Sequence, residues 1–446
     1  MYADDLILLS ETAEGIQNCL NKLEKYTQDW NLQVNISKTK VMIFQRGGKR
    51  KIQNFTLGQH TLENADHYKY LGTIITNTGN FKTNHANLKK KGIRASFIIS
   101  KNIGGYAKPS TAIKIFEKII EPILMYNSEI TCAYMPASWT YEKFSEKIWE
   151  IGAEMNKVIL GFLRQILGVG KKTTNIAIHG ETGKYPISIK IFTHIIKYWL
   201  RLKGEDVSDL LKATYELNNR DQMAGKQNWL KIVEYLKKYT NMATIGPDCC
   251  KTTKLFKHKI QTKYNTWWST EIKNTSKLDF YGRHKKYFRI EPYLDDVSRG
   301  PRVYITRLRV SSHCLPVEIQ RYRKKRPKRE DRKCPICNTD GIADEDHYLL
   351  KCTNSEIFSI REKFFTKIRN EVPQLASFTN TNIINYCLNM SDPNIQSVTA
   401  EYVRNILCMY REETDGTTQP IVQTIITRVG RIVRKPQRLG LDNEQL

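Results

Sequence analysis

Residues 1–10 read MYADDLILLS, and how they are read decides what the rest of the chain is. Tyr2-Ala3-Asp4-Asp5 sets two carboxylates side by side, ahead of the apolar run Leu6-Ile7-Leu8-Leu9. Adjacent Asp residues at a hairpin tip between apolar strands bring hard oxygen ligands together at a sheet edge, which suits magnesium. Two such ions can stabilise the attacking and leaving oxygens of a phosphoryl displacement. On the tetrapeptide alone an ordinary Asp-rich turn is the favoured reading, so the surroundings must decide.

Outward from this turn, Ser10 is a candidate N-cap, and Glu11 and Glu14 fall in a first helical turn where acids suit the dipole. Ile16, Leu20, Leu23, Thr27 and Trp30 recur at helical spacing and predict one apolar face, with Asn31 closing the helix. Leu32, Val34 and Ile36 alternate, and Val41 to Phe44 reads as a strand. FTLGQHTLE (55–63) predicts a hairpin turning at Gly58-Gln59, and YKYLGTIIT (68–76) a further strand with a glycine kink. Strand, helix, strand and hairpin give an α+β domain, or the end of one.

YADD, then NISKTKVMIF (35–44), then HYKYLG (67–72) resemble, in that order, the palm of reverse transcriptases from non-LTR, LINE-type retrotransposons. The resemblance implies that Asp4 and Asp5 are catalytic ligands of magnesium. It places Lys38, inside the Asn35–Thr39 segment, beside the active site, and Tyr70, Leu71 and Gly72 at the primer end. It also implies that fingers and most of the palm, with a further metal-binding Asp, lie upstream of residue 1. The chain is then expected to be the C-terminal part of a larger polymerase, begun at a methionine inside the motif. Leu6 to Leu9 would be a strand without its sheet partners, edge groups unpaired.

Residues 85–170 are rich in helix formers, and the stretches 88–104 and 110–130 carry apolar faces opposite basic ones. They resemble the thumb of the same family, whose basic helices track template–primer phosphates; Lys89, Lys90, Lys91, Arg94 and Lys101 are the candidates. HGETGKYP (179–186) is similar to a phosphate-binding loop at Gly183-Lys184, but Tyr185 replaces the hydroxyl residue and the upstream glycine spacing is missing. Its Gly-Glu-x-Gly-x-x-Pro pattern resembles the post-thumb region of retroelement proteins instead. Trp267-Trp268 is read as core rather than as a base-stacking platform. YLDD (293–296) repeats the acidic motif, but Val-Ser-Arg-Gly-Pro after it cannot form a returning strand, so it is read as a surface turn.

The strongest local pattern is CPICNTDGIADEDHYLLKC (334–352): Cys334-x2-Cys337-x9-His347-x4-Cys352. Three soft sulfurs and an imidazole fit a closed, tetrahedral, structural zinc site. Asp344, Glu345 and Asp346 are placed to orient His347. The other seven of the ten cysteines scatter, so no disulfide framework is expected. Immediately upstream, RYRKKRPKREDRK (321–333) sets nine bases against two acids, +7 over thirteen residues. Arg323, Lys324, Lys325 and Arg326 are its candidate phosphate contacts, and KKRPKR is also a pattern that nuclear import machinery reads. The whole stretch resembles the cysteine-rich C-terminal segment of LINE-type proteins, which implies nucleic-acid binding. TRVGRIVRKPQRLGL (427–441) departs from that pattern and resembles the end of some LTR-retrotransposon polyproteins.

Composition agrees with these motifs. In 446 residues, 71 Lys and Arg against 45 Asp and Glu leave a net charge of +26, and 40% of residues are hydrophobic. Such a balance favours a polyanionic partner and argues against wholesale disorder. No apolar run approaches the roughly 18–20 residues of a membrane span, and Asp4 and Asp5 stand where a signal peptide would be basic. The expected protein is intracellular, in nucleus or cytoplasm, with no membrane partner. The expected architecture is a truncated palm remnant (1–80), a helical thumb (81–170), a mainly helical connector (171–320), a basic arm with a zinc knuckle (321–370) and a helical tail (371–446). Two functions compete. One is a fragment of an RNA-directed DNA polymerase, inactive alone, that binds RNA template and DNA target. The other is a non-catalytic zinc-containing nucleic-acid-binding protein derived from a retroelement.

Overall fold

A helix from Ala13 to Asp29, α1, organises the N-terminal region. The computed structural model describes residues 4–45, 52–103, 107–133, 135–136, 138–226, 228–242, 248–337, 339–389 and 392–415. The N-cap of α1 is Thr12 rather than Ser10: Thr12 Oγ1 accepts the Gly15 amide at 3.0 Å, and Ser10 Oγ accepts the Thr12 amide at 3.2 Å. At the other end Asn31 takes φ +49°, the Asn31 amide donates to Gln28 O (3.2 Å) and the Leu32 amide to Thr27 O (2.8 Å). That is a Schellman closure with Asn in the left-handed position. It also ends the apolar stripe: Trp30, expected on the buried face, is the cap residue and 68% exposed.

Leu20 packs with Phe55, Leu57 and Leu62, and Leu8, Ile16, Leu23, Val34, Ile36, Val41 and Ile43 close around them. The apolar positions therefore face inward as expected, but with less regular backbone than expected. Leu6 to Leu9 forms no strand, and Leu6, Ile7 and Leu9 are exposed. The strand expected over 41–44 shrinks to β1 (Lys40–Val41). The hairpin of β2 (Thr56–Leu57) and β3 (His60–Thr61) turns at Gly58-Gln59, with Gly58 at φ +59°. A short β4 (Glu63–Asn64) lies parallel to β1.

Residues 68–76 are not one kinked strand. They fold into a second hairpin, β5 (His67–Tyr70) against β6 (Thr73–Thr76). Leu71 and Gly72 form its two-residue tip with φ of +43° and +81°. Two consecutive left-handed residues give the turn whose twist matches paired strands. A glycine inside an apolar run signals such a turn as readily as a kink.

Helices follow. The first, α2 (Lys82–Ile103), packs on α3 (Pro109–Leu124) and on the helix Ala153–Leu167. Gly92 allows the approach, since a Cβ there would lie 2.5 Å from Leu124 Cδ2. Trp268 is buried, its indole donating to Ile176 O, and Trp267 is half-buried against Trp149 and Tyr264; both sit in the core as expected.

The GETGKYP segment is an architectural joint. Gly180 faces Trp268 and Tyr281 so closely that a Cβ would fall 2.5 Å from the indole. Glu181 is fully buried, and its Oε1 accepts from Arg309 Nε and from the Tyr293 hydroxyl, both at 2.7 Å. Gly183 (φ +62°) lies against the backbone of Arg289 and Ile290, and Pro186 caps the helix Ile187–Leu202. Lys184 is buried with its ammonium bonded to Glu117 and Glu121, so it has no phosphate to hold. YLDD is likewise no surface turn. It is the short helix Tyr293–Asp296, with Tyr293 and Leu294 buried, because the tyrosine hydroxyl has Glu181 to satisfy it.

The chain divides into two compact units, residues 1–312 with 391–393, and residues 313–390 with 394–446. The second is built on the helices Ser355–Glu371, Asn380–Asn389 and Pro393–Asp415. Phe364 stacks on Tyr402 at 4.1 Å, and Phe365, Ile368, Val403 and Ile406 complete that core. The segment 427–441 lies outside the described residues.

Candidate metal centre and nucleic-acid interface

Cys334 follows an isolated bridge between Lys333 and Ile342 that closes the knuckle loop. His347 opens a single turn of π-helix, His347–Lys351, and the Cys352 amide donates to His347 O at 2.7 Å. A π turn closes i to i+5, so the x4 spacing brings His347 and Cys352 to one side, where an α-helix would not. The Tyr402 hydroxyl donates to Leu349 O within the turn (2.6 Å), and Arg361 Nη2 donates to Cys352 O (2.7 Å).

The four donor atoms of Cys334, Cys337, His347 and Cys352 lie within 4.8 Å of one another. His347 Nε2 faces Cys337 Sγ at 3.4 Å, and the Tyr348 hydroxyl meets Cys334 Sγ at 3.1 Å. Sulfurs bound to zinc at about 2.3 Å stand about 3.8 Å apart across a tetrahedron, so the arrangement needs only a small contraction around an ion. Electrostatics point the same way. The Cys352 thiol, then His347 and Tyr348, hold Cys334 far below the ordinary thiol range, and Cys352 is pushed up by the same sharing. Burial works against a charged His347, yet bonding to Cys334 and the charge of both neighbouring thiolates raise it. Three thiols and an imidazole facing one point are a donor set that could hold a metal ion.

The acids between the ligands act on the backbone more than on the ring. Asp344 Oδ1 accepts the His347 amide at 3.0 Å and its Oδ2 accepts from Arg329 at 2.9 Å. Glu345 is buried against His313 Nε2 (2.9 Å).

The basic segment is partly built in rather than a loose arm. Arg332 is buried, donating to Val317 O and Pro327 O, and Arg321 pairs with Glu318. Arg323, Lys324, Lys325 and Arg326 are exposed, and no ion pair to a described residue engages their side chains. In the first unit Lys90, Lys91, Arg94 and Lys101 are exposed along α2, whereas Lys89 is held by Glu154 at 2.7 Å. Lys89 is therefore a packing residue before it is a phosphate contact.

Asp4 and Asp5 are exposed, and among the described residues no third metal-ligating side chain joins them. Lys38 is exposed on a turn that Asn35 closes on itself: Asn35 Oδ1 accepts the Lys38 amide (3.1 Å), and Asn35 O accepts from Thr39 Oγ1 (2.9 Å). The Tyr68 hydroxyl donates to Lys38 O at 3.2 Å and ties this turn to β5. At the hairpin tip Tyr70 and Gly72 are half-buried, Leu71 is exposed, and Tyr126 Oη donates to Leu71 O at 2.5 Å.

Tyr126 was not legible as a partner of the hairpin tip, because nothing in its periodicity distinguishes it from its neighbours. Asn84 and Asn127 share that history: Asn84 Oδ1 accepts the Ile74 amide, and Asn127 Nδ2 donates to Thr73 Oγ1. Gly72→Ala is expected to destabilise the first unit by about 1–2 kcal/mol, the cost of a Cβ in left-handed backbone. The new carbon would also press on the Tyr126 ring at 3.2 Å. A shifted urea midpoint with unchanged slope checks this.

Residues 1–75 match the family model described as reverse transcriptase (RNA-dependent DNA polymerase). The chain is 26% identical over 163 residues to an uncharacterised transposon-derived protein of Caenorhabditis elegans, covering 36% of this chain and 55% of the other. It is 34% identical over 88 residues to the retrovirus-related Pol polyprotein of the type-1 retrotransposable element R2 from Nasonia vitripennis, covering 18% of this chain and 9% of that polyprotein. The chain thus spans about half the length of one curated relative and a small part of the other. No solved structure matches it. These likenesses support a protein related to retroelement reverse transcriptases.

Proposed function

We propose that the chain is part of an RNA-directed DNA polymerase of a non-LTR retroelement, and that it holds nucleic acid without polymerising by itself. The reverse-transcriptase match over residues 1–75 carries this reading, since it spans the acidic pair, the Asn35–Thr39 turn and the Tyr70-Leu71-Gly72 tip together. In the complete polymerase, magnesium at Asp4 and Asp5 would stabilise the charge of nucleotidyl transfer. The chain's own residues would do the positioning, with the hairpin tip at the primer end and the α2 cations along the phosphates. RNA template and DNA target are the partners of this reading. Zinc at the Cys3His cluster would hold the second unit's basic face in place, and KKRPKR would direct the protein to the nucleus. No helix among the described residues is long and apolar enough to cross a membrane.

The alternative, a non-catalytic nucleic-acid-binding protein of retroelement origin, is favoured by one observation: the Asp4–Asp5 pair gathers no further ligand among the described residues. Losing one charge-stabilising group at a reaction centre commonly costs 100-fold or more. Primer extension by the purified chain, with magnesium, dNTPs and a primed RNA template, is expected to give no product. Extension that Asp4→Ala abolishes would overturn that expectation and restore the enzyme reading for this chain alone.

Binding itself is expected to be salt-sensitive and largely indifferent to sequence. Each phosphate contact contributes about −0.9 to the log–log salt slope on duplex DNA. Neutralising Arg323, Lys324, Lys325 and Arg326 together should weaken binding and flatten that slope. An unchanged slope places the contact surface elsewhere.

A further inference from the structure

Beside the Cys334–Cys337 knuckle, within the second unit, lies a cavity of about 480 Å³. Tyr410, almost fully buried, forms part of its lining, and Ile319, Pro335 and Ile336 line it with apolar surface. Gln320 brings an amide that can both donate and accept, and Arg323 brings a guanidinium. Pro335 and Ile336 are the two residues between the first pair of metal-ligand candidates, so the knuckle itself shapes this wall.

We infer that this cavity takes an unpaired nucleobase, so that the second unit grips single-stranded nucleic acid by a base as well as by its phosphates. This deepens the nucleic-acid reading above and rests on it. The lining fits a base: apolar surface from Ile319, Pro335 and Ile336 for its faces, one amide for its polar edge, and room for the sugar. Packing against the face of a base is tolerant of sequence, because every base has one. Charge selects the occupant. Arg323 opens a run of four exposed cations, Arg323 to Arg326, that no described carboxylate neutralises. A polyphosphate strand supplies a charge at every residue along that run. A base locked in a duplex cannot enter, so the pocket reads strandedness rather than sequence.

The test uses the full, zinc-loaded chain and fluorescence anisotropy with a twelve-nucleotide single strand, the same strand carrying central abasic sites, and a blunt duplex. For the unmodified protein, the abasic strand is expected to bind about tenfold more weakly than the intact one, because the phosphates are equal and only stacking is lost. In Gln320→Ala/Ile336→Ala this difference should vanish while duplex affinity holds. Ile319→Ala, at a position 45% exposed, repeats the test without touching the knuckle. An abasic penalty of equal size in all three proteins overturns the pocket but leaves the nucleic-acid reading standing. No binding of any strand by the unmodified chain overturns both. Displacement of the intact strand by a polyglutamate peptide, lost in the pocket variants, would assign the cavity to an acidic protein segment instead.

Discussion

Cys337→Ser is expected to remove the metal from the full chain and loosen the second unit around it. The unmodified protein should carry about one equivalent of zinc by elemental analysis, and the variant close to none. Structural zinc contributes on the order of 10 kcal/mol or more to small domains. The helices Ser355–Glu371 and Pro393–Asp415 have an aromatic core of their own, so the loss should concentrate in 313–352. Limited proteolysis should then cut that segment in the variant and in chelator-treated protein alike. Acid should act as the mutation does, because protons compete with metal for thiolates. Full zinc occupancy in Cys337→Ser would dismiss the ligand set.

Arg309→Met should be the most damaging single change in the first unit, at about 3–5 kcal/mol. Arg309 is 1% exposed, with Nε on Glu181 at 2.7 Å and Nη2 on Glu291 at 3.3 Å. Lys285 bonds Glu291 as well, so the group joins three stretches distant in sequence. Removing the guanidinium leaves the Glu181 carboxylate buried with only the Tyr293 hydroxyl and the more distant Lys285 to oppose its charge. Adding Glu181→Gln to Arg309→Met should recover part of the loss, since the stranded charge is the main cost. A denaturation midpoint equal to that of the unmodified chain would show that the network carries no net stability.

Local patterns were legible where chemistry is local. The Cys and His spacing, the hairpin at Gly58-Gln59 and the apolar stripe through Ile16, Leu20 and Leu23 all stand in the structure as read. Legibility failed where long-range partners decide. Tyr293 reads as a turn residue until Glu181, 112 positions earlier, supplies its acceptor. Lys89 reads as a free cation until Glu154 faces it. Leu6 to Leu9 has the composition of a strand, but composition cannot provide a neighbouring strand to pair with. Tyr185 in place of a hydroxyl residue and the missing glycines argue against a phosphate site at Lys184, whereas its burial between two glutamates comes only from the folded chain.

The π turn at His347–Lys351 has a consequence for how this segment can vary in length. On an α-helix, positions five apart lie about 140° from each other around the axis, so the pairing of His347 with Cys352 exists only in the wider turn. A residue gained or lost between them would swing one ligand off the site, whatever its identity. The stretch 339–346 is held by contacts rather than by helical phase: the Lys333–Ile342 bridge, the buried Ala343, and Asp344 on the His347 amide. Related chains should therefore hold the second interval fixed and vary the first only ahead of Ile342, and a library of single-residue insertions would separate the two stretches by metal retention alone.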